Sequence, residues 1–306
     1  MTTAEIGGLT FQGTRQPNGL HFRRIIDWDS LPESKNQEED RPNDHGSFGG
    51  GEDFRRGATT SIEGWFQGED REEALLARRQ ILGALQGQDR RITVTDELGP
   101  TSRDVSVRRV TLGDIFGFRF EISVDMFAKD PRRYGPEVPE STGIPVAGGG
   151  LQWQVGSSGT FGGSGFFGGD TIFGGSDTGS AGLVWPITWE SGGSDGRITV
   201  ENDGNADTYS LLEITGGLED GFSAVEVGTG REIRFERFID SASTVYLNPR
   251  TGAAYIDEPG NDVSGYLTRA DWFSIPPGGT SVIQFFPLGT VTGTPTLTAR
   301  TAPAFW

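Results

Sequence analysis

The stretch GRITVENDGNADTYSLLEIT, residues 196–215, carries the pattern that determines the fold of the second half of this chain. The segments GRITVEN and YSLLEIT have the composition of β-strands, and the polar DGNAD between them is typical of a sharp turn. From residue 183 onward about nine short strands follow one another at even spacing, separated by turns such as GLEDG, GTGR, NPRTG and PPGG. With no helical segment among them, they predict an antiparallel β-sandwich or jelly roll.

The first part of the chain contains one segment with helical periodicity, DREEALLARRQILGALQG, residues 70–87. Asp70 is placed to cap this helix, Glu73 to complete a capping box, and Gly87 to end it. One apolar face is predicted, which packs on a sheet and not on a membrane because the polar face mixes acids with arginines. Its predicted members are Ala74, Leu75, Arg78, Ile81, Leu82 and Leu85.

Alternating strands surround the helix, and together these elements predict a mainly β chain whose first domain is mixed α+β. RITVTD, RDVSVRRVTL and FGFRFEISVDMFAKD are the clearest strands, and the polar residues 32–53 are a long loop. DPRRYGPEVPE interrupts the pattern with three prolines. We therefore place a first domain at 1–135, a Pro/Gly-rich linker and arm at 136–182, and a sandwich domain at 183–306.

The composition limits the classes of function that fit. The net charge of the chain is −17, and residues 134–306, with 7 Lys and Arg against 20 Asp and Glu, contribute −13 of it. Such a segment repels phosphate backbones, so direct nucleic-acid readout is not expected. With no cysteine and two histidines, a disulfide framework, a thiolate zinc site and a multi-histidine site are excluded. Neither a membrane-spanning segment nor a signal peptide is expected.

A glycine-rich tract at 141–182 contains GSGFFG, residues 163–168, which matches the dinucleotide-binding pattern G-x-G-x-x-G. That pattern works only where a strand leads into a helix, and no helical period follows here. The match instead arises from FGG, which recurs at 161–163, 167–169 and 173–175. Two interpretations stay open for its phenylalanines, packing within the chain or docking on a neighbouring subunit. The residues concerned are Phe161, Phe166, Phe167 and Phe173.

No stretch carries a catalytic signature. ENDGNAD, residues 201–207, has some features of a calcium loop but lacks the full ligand spacing, so an Asx-stabilised hairpin turn is the preferred interpretation. Paired carboxylates are abundant without forming a motif, and nucleophile-elbow, zinc-protease and phosphate-loop motifs are absent. In WFSIPPGG, Pro277 and Gly278 predict a type II turn. We therefore predict no enzyme activity, cofactor or metal.

The order of several stretches resembles that of the distal tail protein family of long, flexible-tailed bacteriophages. The most specific are N-D-G-N-A-D-T-Y…I-T-G, residues 202–216, and the ending W…IPPGG…IQF. The glycine-rich tract at 148–180 departs from this pattern, being longer than a simple linker. The other matching stretches are EALLARRQILGAL, DPRRYG, GLVWPITWE, TGREIRFERFI and VYLNPRTGAAYI.

The resemblance implies a hexameric ring at the distal end of a phage tail, made of subunits synthesised in the host cytoplasm. The first domain would be a split-barrel-like belt around a central channel, and the second a galectin-like sandwich on the outside. Such a ring joins the tail tube to the tail-tip hub, with tape-measure-associated and receptor-binding proteins as further partners. Head-to-tail contacts of this kind close a ring when the rotation between subunits closes.

An alternative function is a carbohydrate-binding module for attachment to host cells, since galectin-like sandwiches can bind sugars. It predicts exposed aromatic side chains on one face of the sandwich, and the candidates are Trp185, Trp189 and Trp272. A hydrolase that uses paired carboxylates is a third hypothesis.

Overall fold

The computed structural model describes residues 2–13, 18–35, 54–87, 89–145 and 194–306 in full, and only the backbone of residues 39–40, 47–48, 153–155 and 159–161. These residues form a barrel with one α-helix and a two-sheet sandwich, each around its own apolar core. The predicted mainly β fold with a helix in the first domain and a sandwich in the second is confirmed.

The barrel is closed by seven strands in the order β7-β1-β2-β3-β6-β9-β8, with β8 pairing β9 along one half and β7 along the other. β2 and β3 run parallel, and the other neighbours are antiparallel. Closure leaves no free edge within the ring of strands. The elements are β1 (Thr3–Ile6), β2 (Leu9–Gln12), β3 (Gly19–Ile26), the paired β4 (Glu39–Asp40) and β5 (Ser47–Phe48), β6 (Ala58–Gln67), α1 (Arg71–Ala84), β7 (Arg90–Asp96), β8 (Gly99–Leu112), β9 (Arg119–Ala128) and β10 (Arg133–Tyr134).

The helix α1 begins as the sequence predicts. The Asp70 side chain accepts a hydrogen bond from the Glu73 amide at 2.8 Å, while the Glu73 carboxylate accepts from the amide of Glu69, one residue before the usual capping-box partner. The helix ends at Ala84, three residues before the predicted stop at Gly87, which has a φ of +116°.

The buried face of α1 differs from the predicted one. Ala74, Ala77, Ile81 and Leu85 face the barrel core, whereas Leu75, Leu76 and Leu82 are 46–50% exposed. The prediction that Leu75 and Leu82 pack on the sheet is therefore wrong. A helix laid on a barrel buries one stripe, and here the small residues Ala74 and Ala77 let the backbone approach closely, which leaves the leucines on the outer side.

The sandwich consists of two antiparallel five-stranded sheets, ordered β11-β22-β15-β18-β19 and β14-β21-β16-β17-β20. Its elements are β11 (Val138–Gly143), the paired β12 (Trp153–Val155) and β13 (Gly159–Phe161), β14 (Arg197–Glu201), β15 (Ser210–Thr215), β16 (Phe222–Glu226), β17 (Glu232–Phe235), β18 (Thr244–Asn248), β19 (Ala253–Ile256), a 3₁₀ turn (Ser264–Tyr266), β20 (Leu267–Ala270), β21 (Thr280–Pro287), β22 (Thr296–Thr301) and β23 (Ala304–Phe305).

The two strands of GRITVENDGNADTYSLLEIT do not pair with each other. β14 lies in one sheet and β15 in the other, so the DGNAD turn crosses between the sheets and the predicted hairpin is wrong. The Asx part of that prediction is right, because Asn202 Oδ1 accepts a hydrogen bond from the Gly204 amide. Both strands point apolar residues into the same inter-sheet core, a pattern that a hairpin and a crossover share.

Aromatic side chains fill the centre of the sandwich. Phe222, Phe235 and Phe285 are fully buried, with the Phe222 ring 5.5 Å from that of Phe235 and 6.1 Å from that of Phe285. Burial of each such side chain stabilises the fold by about 1.5–3 kcal/mol. The predicted turn at Pro277–Gly278 forms, with Gly278 at φ +61° and a hydrogen bond from the Gly279 amide to the Pro276 carbonyl.

Two strands pair across the predicted domain boundaries. β11 lies in the predicted linker, yet it pairs with β22 along its whole length as an edge strand of the sandwich. β23, near the end of the chain, pairs with β10 and so extends the sheet of the barrel. The 1–135, 136–182 and 183–306 boundaries stay predictions, but strands from the middle of the chain and from its last residues meet at the junction.

Candidate functional site at the junction of the two domains

The junction is a two-stranded ribbon that runs from one domain into the other. In the sandwich it consists of β11 and β22, and towards the barrel it continues as β10 and β23. Between the two pairs, the Gly135 amide donates to the Pro303 carbonyl at 2.9 Å. A Cβ on Gly135 would lie 2.8 Å from the Pro303 ring, so this crossing requires glycine.

Three side chains from DPRRY form a hydrogen-bonded cluster beside the ribbon. Arg132 binds both oxygens of Asp130, through Nε and Nη2 at 2.9 Å each, and the Tyr134 hydroxyl donates to Asp130 Oδ2 at 2.6 Å. Arg132 Nη1 also donates to the carbonyl of Asp207 in the sandwich at 2.6 Å. This paired guanidinium connects the end of the barrel sheet to the crossover that follows β14.

The electrostatics of this cluster favour its charged pair. Burial opposes ionisation of Asp130, but the hydrogen bonds from Arg132 and Tyr134 hold the pKa of that carboxyl below its ordinary value. The pKa of Tyr134 is raised, by burial first and by the nearby Asp130 charge second, so the hydroxyl stays a donor. Burial lowers the pKa of Arg132, but the Asp130 pair more than offsets this and raises it overall.

Asn202 is the centre of a second polar cluster on the sandwich side of the junction. Its buried amide group donates to the carbonyls of Ala206, Ile275 and Pro276, and its Oδ1 accepts from the amides of Gly204 and Ala304. One side chain thus ties together the crossover, the IPPGG turn and the last strand. The two stretches that are most specific for the family resemblance meet at this point.

A third group of side chains lies at the end of the barrel that faces the junction. The fully buried Arg103 donates to Thr60 Oγ1 at 2.9 Å and lies over the ring of Trp28, with its guanidinium carbon 4.9 Å from the ring centre. Burial, together with the charge of Arg133, lowers the pKa of Arg103 to about 10. Arg133 itself binds Asp29 and the backbone oxygen of Trp306.

A groove of about 590 Å³ lies between the domains beside these clusters. Its barrel wall includes Arg91, which pairs with Asp104 at 2.8 Å, and its sandwich wall includes Arg250 and Arg300. Arg250 lies over the Tyr134 ring at 3.8 Å from its centre, a cation–π contact made by an exposed arginine. The groove is lined by charged, polar and apolar side chains, and it leaves space between the two domains beside their contacts.

None of the predicted site residues that the structure describes lies at this junction. Trp272 lies half-buried against the sandwich core, with its carbonyl accepting from Arg231 Nη1 at 3.3 Å. Phe161 ends the short strand β13, where only the backbone is described. Phe166, Phe167, Phe173, Trp185 and Trp189, together with GSGFFG, lie outside the described residues, so the interface and sugar-contact roles stay predictions.

Sequence reasoning missed the junction residues. From the sequence, DPRRYG marks the end of a domain and forms part of the family resemblance, although its acid, arginines and tyrosine are residue types that form ion-pair clusters. Among the described residues, no group of three or more His, Cys, Asp or Glu is placed to hold a metal ion. In that same part of the chain, no helix has the length and apolar character needed to span a membrane.

Solved structures with a similar architecture cover the whole chain. The crystal structure of the SPP1 Dit protein, described as a paradigm of the hub adsorption apparatus in phages that infect Gram-positive bacteria, matches with a TM-score of 0.60 and 13% identity over 100% of both chains. This chain has the distal tail protein fold. That fold was predicted from the sequence, and the likeness confirms it.

Two further structures agree, both baseplates of phage P2 in the activated conformation, with Ca and with Sr. They match with TM-scores of 0.53 and 0.51 at 12% and 11% identity, over 98% of both chains in each case. No family model and no curated protein matches the chain. At these identities the likeness establishes the fold, and the role of the chain is argued below.

Proposed function

We propose that this chain is a structural subunit of a phage tail tip or baseplate, where six copies form a ring that joins the tail tube to the tail-tip hub and its host-adhesion components. The observation that carries the proposal is the match of both domains, over the full chain, to proteins of phage hub and baseplate structures. A fold shared in one domain would be weak evidence, because common folds serve many functions. The two-domain arrangement shared from end to end is more specific.

The surface of the first domain supports a ring contact there. Leu75, Leu76 and Leu82 are exposed apolar side chains on the outside of α1, in the domain that the resemblance assigns to the belt. Several large apolar side chains exposed on one helix are candidates for contact with a partner. Among the described residues the ring of barrel strands is closed, so side-chain contacts of this kind are one means by which this domain can meet a neighbour.

The junction contributes the second part of the proposed role. The β10–β23 ribbon is bonded to the sandwich, and it meets the belt domain through the pairing of β10 with β8 and the Arg133–Asp29 ion pair. In a ring, such a connection presents six outer domains in one orientation. That arrangement suits a platform for adhesion components.

The test is electron microscopy of assembled tails, with this subunit located by a tag inserted at the exposed turn around Gly260. We expect a six-fold ring at the distal end of the tail. A ring of another protein at that position, with this chain elsewhere or absent, would refute the proposal. Binding of a sugar by a stable monomer that is not part of the tail would favour the carbohydrate-binding alternative.

A matched pair of variants tests the ring contact by light scattering of purified protein. Leu82→Ser on α1 should weaken ring assembly, whereas Phe286→Ser, on a similarly exposed apolar residue of the sandwich, should not. Equal effects of the two substitutions would remove α1 from the proposed interface.

A further inference from the structure

Hydrogen bonds attach residues 302–306 to the sandwich. They dock along the crossover between β14 and β15, the same segment that Asn202 organises. The bonds run from Thr208 Oγ1 to the Ala302 carbonyl at 2.6 Å, from the Ala206 amide to the Ala304 carbonyl at 3.0 Å, and from the Trp306 amide to Asn205 Oδ1 at 2.8 Å.

The strand β10 is also bonded to residues 302–306 and to the sandwich. It pairs with β23, Gly135 bonds to Pro303, and Arg132 reaches the Asp207 carbonyl. Tyr134 joins Ala206, Ala302 and Ala304 in a small core of its own, separate from the core of either domain. The sandwich, residues 302–306 and β10 therefore form one bonded unit, named here the outer unit.

The outer unit contacts the barrel sheet over a short length. β10 pairs with β8 only through Tyr134 and Ser102, with a hydrogen bond from Ser102 Oγ to the Tyr134 carbonyl at 3.2 Å. Arg133, whose side chain is 14% exposed, adds an ion pair to Asp29 and lies 5.9 Å from the centre of the Trp28 ring. Beside these contacts the groove separates the two surfaces.

We propose that the outer unit pivots against the barrel at the exposed residue Lys129, and that the Arg133–Asp29 pair is the latch that holds the observed orientation. Lys129 lies between Ala128, which is buried in the barrel, and Asp130, which belongs to the cluster of the outer unit. A small interface between domains favours relative motion. The groove provides the space into which the sandwich swings. The pivot is a property of a single subunit and does not rest on the proposed function.

Spin labels can measure the motion directly, because the chain has no cysteine of its own. Leu98→Cys on the barrel, at a side chain that is 99% exposed, and Ser241→Cys on an exposed loop of the sandwich give a distance across the pivot. Labelled protein is diluted into an excess of unlabelled protein, so that only distances within one subunit contribute. A second pair within the barrel, Leu98→Cys with Asp114→Cys, reports on the barrel itself.

We expect a narrow distance distribution across the pivot in the otherwise unchanged chain. Asp29→Ala should broaden it and raise the population of a second distance about two- to fivefold, the size that a largely exposed ion pair permits. Glu63→Ala, which removes a different barrel carboxylate from its pair with Arg24, should leave it narrow. The distance within the barrel should stay the same in all variants.

The proposal fails if Asp29→Ala and Glu63→Ala give the same distribution, or if the distribution is already broad before Asp29 is changed. It also fails if Asp29→Ala broadens the distance within the barrel, because the change would then report local unfolding and not a pivot.

Discussion

Replacement of Gly204 by alanine tests whether the junction depends on the close approach of two backbones. Gly204 is buried beside the last strand, and a Cβ placed on it would lie 1.9 Å from the Ala304 carbonyl oxygen and 2.6 Å from the Ala304 nitrogen. Real Cβ atoms essentially never approach closer than 3.0 Å, so the last strand must move away by about 1 Å.

The size of the effect follows from the bonds that such a shift breaks. The Ala304 carbonyl accepts from the Ala206 amide at 3.0 Å, and the Ala304 amide donates to Asn202 Oδ1 at 3.3 Å. Each is worth about 0.5–1.5 kcal/mol, and a buried group left without a partner adds about 1–3 kcal/mol. We therefore expect Gly204→Ala to lower the free energy of unfolding of the sandwich by about 2–4 kcal/mol.

The assay is urea unfolding combined with hydrogen exchange of residues 302–306. A loss of about 2 kcal/mol corresponds to roughly 30-fold faster exchange of the Ala304 amide. Gly260→Ala is the matched control, because a Cβ there meets no atom within 4 Å, and it should change stability by less than about 0.5 kcal/mol. Equal stability and equal exchange for the two variants would refute the packing argument.

Three further predictions concern the two cores and the junction cluster. Phe285→Ala should cost about 3–5 kcal/mol in urea unfolding and its exposed neighbour Phe286→Ala less than about 1 kcal/mol, and similar losses would contradict the assigned faces of β21. On α1, Ile81→Ala should cost about 2–4 kcal/mol while Leu82→Ala costs less than about 1 kcal/mol, and the reverse order would restore the apolar face predicted from the sequence. Asp130 has a folded pKa below its ordinary value, so it stabilises the fold above about pH 4 and loses this contribution as the pH falls through the folded pKa. Unfolding measured against pH should therefore show less acid destabilisation in Asp130→Asn than in the unchanged chain, and identical slopes would exclude the pair as a source of stability.

Local signals in the sequence predicted much of the fold. Asp70 caps the helix, Gly278 takes the positive φ of its turn, and NPRTG joins the hairpin of β18 and β19. Each of these depends on residues within a few positions of one another. The sandwich was predictable for the same reason, since alternating strands and sharp turns recur along its length.

Features that depend on distant partners were not predictable from one sequence. The DGNAD turn crosses between sheets because β14 finds β21 and β15 finds β22, and alternation alone does not choose between these partners and a hairpin. The return of β23 to β10 joins residues about 170 positions apart, a separation at which no pattern in the sequence signals pairing. On α1, the periodicity fits more than one face, and contact with the barrel selects the alanine side.

The candidate site shows how the same stretch can identify a fold without revealing a role. The N-D-G-N-A-D and I-P-P-G-G stretches suggested the family, and the structure explains their composition by the bonds of Asn202 and the close approach at Gly204. Their residue types are required by packing at the junction, so they specify an architecture in which a sandwich is attached to a barrel. They carry no information about a receptor or a host. Under the proposed function, specificity for partners would lie on surfaces where the packing leaves the choice of side chain free, such as the exposed leucines of α1 and the outer faces of the sandwich.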